Sequence, residues 1–313
     1  MNINRVKLIV FCAVLLPTNL WADDQAPPQV AEKLQPYIEC INRISERAFQ
    51  SQDRYVSWAG DKTSLNAKAK NILGLYEIYD PSDCAKGVDE ANATEPHNVT
   101  LESAGAEFVK SSQALDLILK TANDYYDQGN YKDDKLAKGK EMHPQLLAAF
   151  NAFGKADHDL RSVAQKINDE RQIADLAAIE KNEGHNAHYL IEAMMIKAKA
   201  VVRVEGDVEE KKIDLAQVTE TLNSFEASVK ELETYGASHN DEKNGSMLID
   251  NSKSFMTSAK EFMRRIRDMV PYDEGQKMIL NEPNAGWMVE GSQPRLTHDY
   301  NQLVDTYNQH ANL

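Results

Sequence analysis

Residues 124–144 read Asp-Tyr-Tyr-Asp-Gln-Gly-Asn-Tyr-Lys-Asp-Asp-Lys-Leu-Ala-Lys-Gly-Lys-Glu-Met-His-Pro. Gly129 and Asn130 suit the left-handed turn that closes a helix, and Pro144 suits the first turn of the next. The stretch therefore reads as a charged elbow between two long helices. On its amino side, apolar or small residues recur at Leu101, Ala104, Phe108, Ser111, Leu115, Ile118, Ala122 and Tyr125. On its carboxyl side they recur at Leu146, Ala149, Phe153, Ala156, Leu160, Val163 and Ile167. Steps of three and four residues place each set on one stripe of a helix.

The same spacing extends outward in both directions. Val30, Leu34, Tyr37, Ile41, Ile44 and Ala48 open the chain's first stripe, and Tyr55 and Trp58 carry it to about Gly60. The next segment, 61–98, reads as a crossover with a short helical or irregular piece around Ile72–Ile78, followed by the punctuation of Asp80, Pro81 and Ser82. Further stripes run through Ala187–Val201, Leu215–Leu232 and Leu248–Met269. An irregular stretch then leads to a closing helix capped by Ser292. No alternating β-branched run competes with these stripes. The expected class is all-α, an elongated bundle of about six to seven mostly antiparallel helices with one short disulfide-pinned crossover. With no internal repeat and no linker rich in Pro, Gly or Ser, residues 23–313 read as a single helical-bundle domain. A kink or subdomain break is expected in the 184–206 region, because an unbroken helix from Pro144 to Val204 would be about 90 Å long.

Arg5 and Lys7 precede an apolar run from Leu8 to Leu16 and a small-residue exit at Ala22, the pattern of a cleavable export signal over residues 1–22. The run is too short to span a membrane and no second one follows, so no transmembrane segment is expected and a periplasmic location is. The formal net charge is −14 and becomes more negative once Arg5 and Lys7 leave. That balance argues against nucleic acid or an anionic membrane as main partner, since both reward a basic face. Outside the leader only Cys40 and Cys84 remain, and in an oxidising compartment an isolated pair most economically forms one disulfide.

Two clusters carry chemistry. Within the elbow, Tyr125, Tyr126, Tyr131, Lys132, Lys138 and His143 suggest a binding edge for a small ligand or an envelope protein. Alternatively, Asp127, Asp133, Asp134 and Glu141 pair with the lysines and only hold the elbow folded. Further on, Glu180, Glu183, His188 and Glu192, with His185 among them, suggest a metal-binding alternative. His188 and Glu192 would share a face at i and i+4, but no Glu-x-x-His is present, and the same residues also read as polar groups around a kink. His158 lies between two aspartates, yet neighbours on a helix diverge by about 100° and form no triad. No nucleophile elbow, phosphate loop, dinucleotide fingerprint or zinc-protease motif occurs. Hence no catalytic residue and no cofactor is expected, and the reading is a non-catalytic binding or interaction protein.

Four segments together suggest a family: Tyr37-Ile38-Glu39-Cys40; Tyr125-Tyr126-Asp127-Gln128 with Tyr131-Lys132-Asp133-Asp134; Lys138-Gly139-Lys140-Glu141-Met142-His143-Pro144; and Gly286-Trp287 with Glu290-Gly291-Ser292. The combination resembles the YiiG-like family of uncharacterised bacterial envelope proteins over nearly all of the chain after the leader. The resemblance implies an all-helical, exported domain of unknown function, often carried on a lipoprotein. The sequence departs from that last feature, because Cys12 follows Phe11 inside the apolar run and no cysteine follows the small residue at its end. A lipid anchor is therefore disfavoured.

Overall fold

The computed structural model describes residues 28–66, 69, 71–206, 214–239, 245–282 and 285–311. The leader expected at residues 1–22 lies outside these, as do Asp207 and Glu209–Lys212 of the charged turn and residues 240–244 of the polar loop. Among the described residues the chain is all helical with no strand. Nine α-helices follow in order: α1 Pro28–Ala59, α2 Ser82–Asn92, α3 Val99–Asp127, α4 Ala137–Glu183, α5 Ala187–Gly206, α6 Leu215–Ser238, α7 Gly245–Arg267, α8 Glu274–Asn281 and α9 Gln293–Ala311. Two compact units are formed, Gln25–Arg171 and Gln172–Leu313, and the boundary falls inside α4.

In the first unit the predicted stripes of α1, α3 and α4 form the core. Tyr37, Ile41, Ile44 and Tyr55 are fully buried with Phe108, Leu115 and Leu119 and with Leu146, Phe150 and Phe153. Phe153 meets Phe108 and Phe49 at ring separations of 5.5 and 5.7 Å, within the range where tilted aromatic pairs attract. Asn98 caps α3, its side chain accepting from the Leu101 amide at 3.1 Å. Cys40 and Cys84 form the expected disulfide, with Cα atoms 5.1 Å apart; it joins α1 to α2.

Helix α2 lies where the sequence reads as punctuation. Pro81 stands immediately before it, where a missing amide costs no helical bond, and Cys84, Val88 and Ala91 supply a short buried stripe. The preceding segment, in turn, is an extended strap rather than a helix. The Ser51 hydroxyl donates to the Tyr76 carbonyl and accepts from the Tyr76 amide, at 2.6 and 3.0 Å. The Trp58 indole donates to the Gly74 carbonyl, while Arg54 and Arg47 donate to the Leu73 and Glu77 carbonyls. Both guanidiniums also lie over the Tyr76 ring, at 4.0 Å for Arg47 and 4.6 Å for Arg54. The strap's backbone groups, with no sheet to join, are satisfied by side chains of α1.

In the second unit α5, α6, α7 and α9 bury Leu190, Met194, Phe225, Val229, Phe255, Tyr300 and Leu303. The Phe255 ring contacts both Phe225, at 5.4 Å, and Tyr300, at 5.3 Å. Ser292 accepts from the Arg295 amide at the start of α9. Helix α8 lies within the stretch expected to be irregular. It buries no residue, so no apolar stripe announces it, and it begins at a reciprocal cap between Asp273 and Gln276. Gly184, at φ +77°, follows the last turn of α4 in the left-handed region that glycine adopts without a Cβ penalty, and α5 resumes at Ala187.

Candidate functional site

The elbow is built by a reversal that requires left-handed backbone. After α3 ends at Asp127, Gly129 adopts φ +73° and a single 3-10 turn follows over Asn130–Lys132. Lys135 and Leu136 then take φ values of +55° and +64°, uncommon for side-chain-bearing residues. They return the chain into α4 at Ala137 rather than at Pro144, where the proline signal places the helix start. Pro144 sits inside α4 and is exposed, so the Lys140 carbonyl that its missing amide leaves unpaired can be served by solvent.

Asp134 is the pivot of the reversal. One of its carboxylate oxygens accepts from the Tyr125 hydroxyl at 2.7 Å and the other from the Lys138 amide at 3.0 Å. That amide bond, foremost, holds the Asp134 carboxyl below its usual range. The Tyr125 phenol is pushed up to about 12, first by burial and then by its bond to Asp134. Burial likewise raises Tyr55 and Tyr126, whose ring centres lie 6.3 Å apart. Tyr126 packs edge-on to Tyr125 at 4.9 Å and to Trp58 at 5.0 Å. A Cβ at Gly139 would lie 3.0 Å from the Tyr126 hydroxyl, so a small residue is required where α4 crosses this ring.

His143 is fully buried. Its Nε2 lies 2.7 Å from the Lys62 carbonyl and its Nδ1 2.8 Å from the Tyr55 hydroxyl. A carbonyl only accepts, so Nε2 carries the hydrogen and Nδ1 accepts from the Tyr55 O–H. Of the six elbow residues singled out by sequence, Tyr125, Tyr126 and His143 thus lie in the core and fasten the elbow to the end of α1. Tyr131 is half-buried, and Lys132 and Lys138 are exposed. Their ammonium groups stand 5.6 Å from the Tyr131 ring and 5.9 Å from the Tyr125 ring.

The carboxylates do not neutralise these lysines. Among the described residues, Lys132, Lys135, Lys138 and Lys140 form no ion pair with Asp127, Asp133, Asp134 or Glu141, and Asp134 is engaged elsewhere. By contrast, Lys110, Lys120, Lys155, Lys253 and Lys260 all sit in ion pairs.

The residues of the metal alternative are distributed among separate partners. Glu180 pairs with His185 at 2.8 Å, and His185 stacks on Tyr189. Glu183 receives bonds from Asn186 and from His188, the latter at 3.1 Å, and these, Asn186 first, hold its carboxyl low. Glu192 accepts from Tyr307 of α9, and burial pushes its carboxyl up. Among the described residues no group of three or more His, Cys, Asp or Glu side chains is placed to hold a metal ion.

One site escaped sequence reading. A cleft of about 600 Å³ between α1 and α2 is lined by Glu32, Lys33, Pro36, Glu39, Gly87, Glu90, Ala91, Thr94 and Glu95. The buried Lys33 ammonium lies 2.6 Å from both the Thr94 carbonyl and the Glu102 carboxylate. Glu102 is drawn down to about 2, by Lys33 first and then by the Asn98 amide and His97. The seven-residue spacing of Glu32 and Glu39 was visible in the sequence, but the opposite wall depends on α2, which was not.

A family model described as a protein of unknown function, DUF3829, matches residues 29–309. The chain belongs to the DUF3829 family. The YiiG-like resemblance agrees with this: the uncharacterized protein YiiG of Escherichia coli (strain K12) is 34% identical over 283 residues, covering 88% of this chain and 78% of that relative. No solved structure matches. The DUF3829 match takes in the elbow, the 180–192 region and the α1–α2 cleft.

Proposed function

We propose that this DUF3829 protein is exported to the periplasm and binds a partner protein, without catalysis, through the solvent face of the elbow. The observation that carries this reading is the set of four exposed lysines that, among the described residues, have no carboxylate partner, on a chain of net charge −14. Asp127, Asp133 and Glu141 are exposed beside them, so the face presents both signs of charge. Such a surface suits the polar rim of a protein interface, where charge pattern sets specificity and encounter rate. Tyr125, Tyr126 and His143, which would orient a small ligand, are turned inward, and only Tyr131 is left half-exposed among the elbow tyrosines. Export is supported by the leader pattern before residue 23 and by the Cys40–Cys84 disulfide, a bond that persists in oxidising compartments. No helix among the described residues is long and apolar enough to cross a membrane.

The test compares wild type with a Tyr131→Ala, Lys132→Ala, Lys138→Ala variant in cross-linking to envelope extract. Loss of a specific cross-linked partner with unchanged helical content is expected. If every interaction of the folded protein survives, the elbow is only a connector. Fractionation tests the location: periplasmic protein lacking residues 1–22 by mass spectrometry is expected, and retention in the cytoplasm overturns it.

A further inference from the structure

We propose that the partner of the elbow is a second copy of this chain, and that the lysines of one copy's elbow dock in the α1–α2 cleft of the next. The inference rests on reading the elbow as a docking face. The cleft offers carboxylates to the elbow lysines, which among the described residues pair with none of the elbow's own. Its four lining glutamates, Glu32, Glu39, Glu90 and Glu95, are exposed. Among the described lining residues the cation is Lys33, which is neutralised by Glu102. Glu90 is approached by Lys86 at 3.8 Å with both side chains exposed; Glu95 accepts from the His97 amide at 3.0 Å, with the His97 ring at 3.6 Å, and Glu39 accepts from the neutral Gln35 amide at 2.9 Å. The cleft thus has an excess of carboxylates where the elbow has ammonium groups that, among the described residues, are unpaired. Its volume of about 600 Å³ also admits a lysine side chain.

The two features belong to the same unit but lie at opposite ends of α1. The cleft is walled by residues 32–39 of α1, whereas the elbow is fastened to Tyr55 and Trp58. At 1.5 Å per residue these points are about 30 Å apart along the helix, so a chain cannot fill its own cleft with its own elbow. The contact therefore joins different surfaces on successive copies. It leaves an open elbow and an open cleft at the ends, an arrangement that grows with concentration unless the rotation closes. Because the pairs are solvent-facing, salt weakens it.

Sedimentation of the purified chain at rising concentration, in low and high salt, provides the first measurement. Weight-average mass is expected to rise with concentration in low salt and to fall back to the monomer in high salt. Two charge-reversed proteins then test the pairing, one with Lys132→Glu, Lys135→Glu and Lys138→Glu, the other with Glu32→Lys, Glu39→Lys and Glu90→Lys. Each alone is expected to stay monomeric, and an equimolar mixture is expected to associate, since the reversed elbow then meets a reversed cleft. Should either triple variant fail to fold, Lys135→Glu and Glu39→Lys make the same comparison. A wild-type chain that remains monomeric throughout, or a mixture that does not associate, overturns the self-docking inference. The elbow reading itself fails separately, if the alanine variant retains every cross-linked partner.

Discussion

Gly105 tests the packing of the first unit by a change of one methyl group. It lies inside α3, two turns from the start, where replacing glycine by alanine ordinarily gains about 1 kcal/mol of helix propensity. Here an added Cβ would lie 2.4 and 2.6 Å from Cε1 and Cδ1 of Tyr37 and 3.2 Å from the Val88 side chain. Those ring carbons have no room to retreat, because Tyr37 is fully buried and its hydroxyl is bonded to Asn92. Overpacking of this kind costs about 1–3 kcal/mol. Gly105→Ala is therefore expected to destabilise by up to about 2 kcal/mol net, a factor of up to about 30 in the folded-to-unfolded ratio. The control is Gly154→Ala in α4, where the nearest outside atom to the new Cβ is Phe49 Cε1 at an ordinary 3.9 Å. There the propensity gain stands alone, at up to about 1 kcal/mol. Urea titration with circular dichroism gives both midpoints, and an unchanged slope identifies the shift as one of stability. Opposite signs are expected. If Gly105→Ala is as stable as Gly154→Ala, the close approach of α1 to α3 is wrong. Combining Gly105→Ala with Tyr37→Leu should cost less than the sum of the two alone.

Three further outcomes follow from the same contacts. Tyr55→Phe removes the donor to His143 Nδ1 and leaves a buried acceptor unmatched, so a loss of about 1–3 kcal/mol is expected in chemical denaturation. A midpoint unchanged from wild type would refute that pairing. Replacing Cys40 and Cys84 together by alanine should lower stability by about 4 kcal/mol in the chain-entropy account, for a sequence separation of 44 residues. Glu192 has a folded-state carboxyl raised above its ordinary 4.5, chiefly by burial. Its protonated form favours folding below that value, and its contribution is lost as pH rises through the folded one. Glu192→Gln keeps an acceptor for Tyr307 without the charge, so its stability relative to wild type should grow from pH 4.5 towards neutrality; a constant difference would refute the buried-carboxylate account.

The long helices were legible because each buries a stripe over many turns, and steps of three and four need no knowledge of what covers them. Leu101 to Tyr125 and Leu146 to Ile167 lie where the spacing puts them. The elements that escaped are those whose order comes from elsewhere. Helix α2 has three buried residues and is held by a disulfide, and α8 has none and begins at a side-chain cap. The elbow was found by composition, but its inside and outside were not. Tyr125, Tyr126 and Tyr131 are equally aromatic in the sequence, and only the packing of Trp58, Tyr55 and Gly139 determines that two are buried and one lies half in solvent. The α4 start was misplaced for a related reason: Pro144 is tolerated inside the helix because it faces solvent.

The strap over α1 has a consequence for how the chain tolerates change. Arg47, Ser51, Arg54 and Trp58 recur at steps of four, three and four, a second, largely polar stripe on the same helix, and what they grip is mainly the main chain of residues 73–77. Main-chain atoms are common to nearly every amino acid. Instructions for the strap's path are thus written largely in the helix, and in the strap by Tyr76, the buried Leu75 and Ile78, and Gly74 at φ +68°. A saturation library should find the exposed Leu73 position permissive, and the buried Leu75 restrictive together with 47, 51, 54 and 58. In such an arrangement a loop's sequence can drift while its course stays fixed.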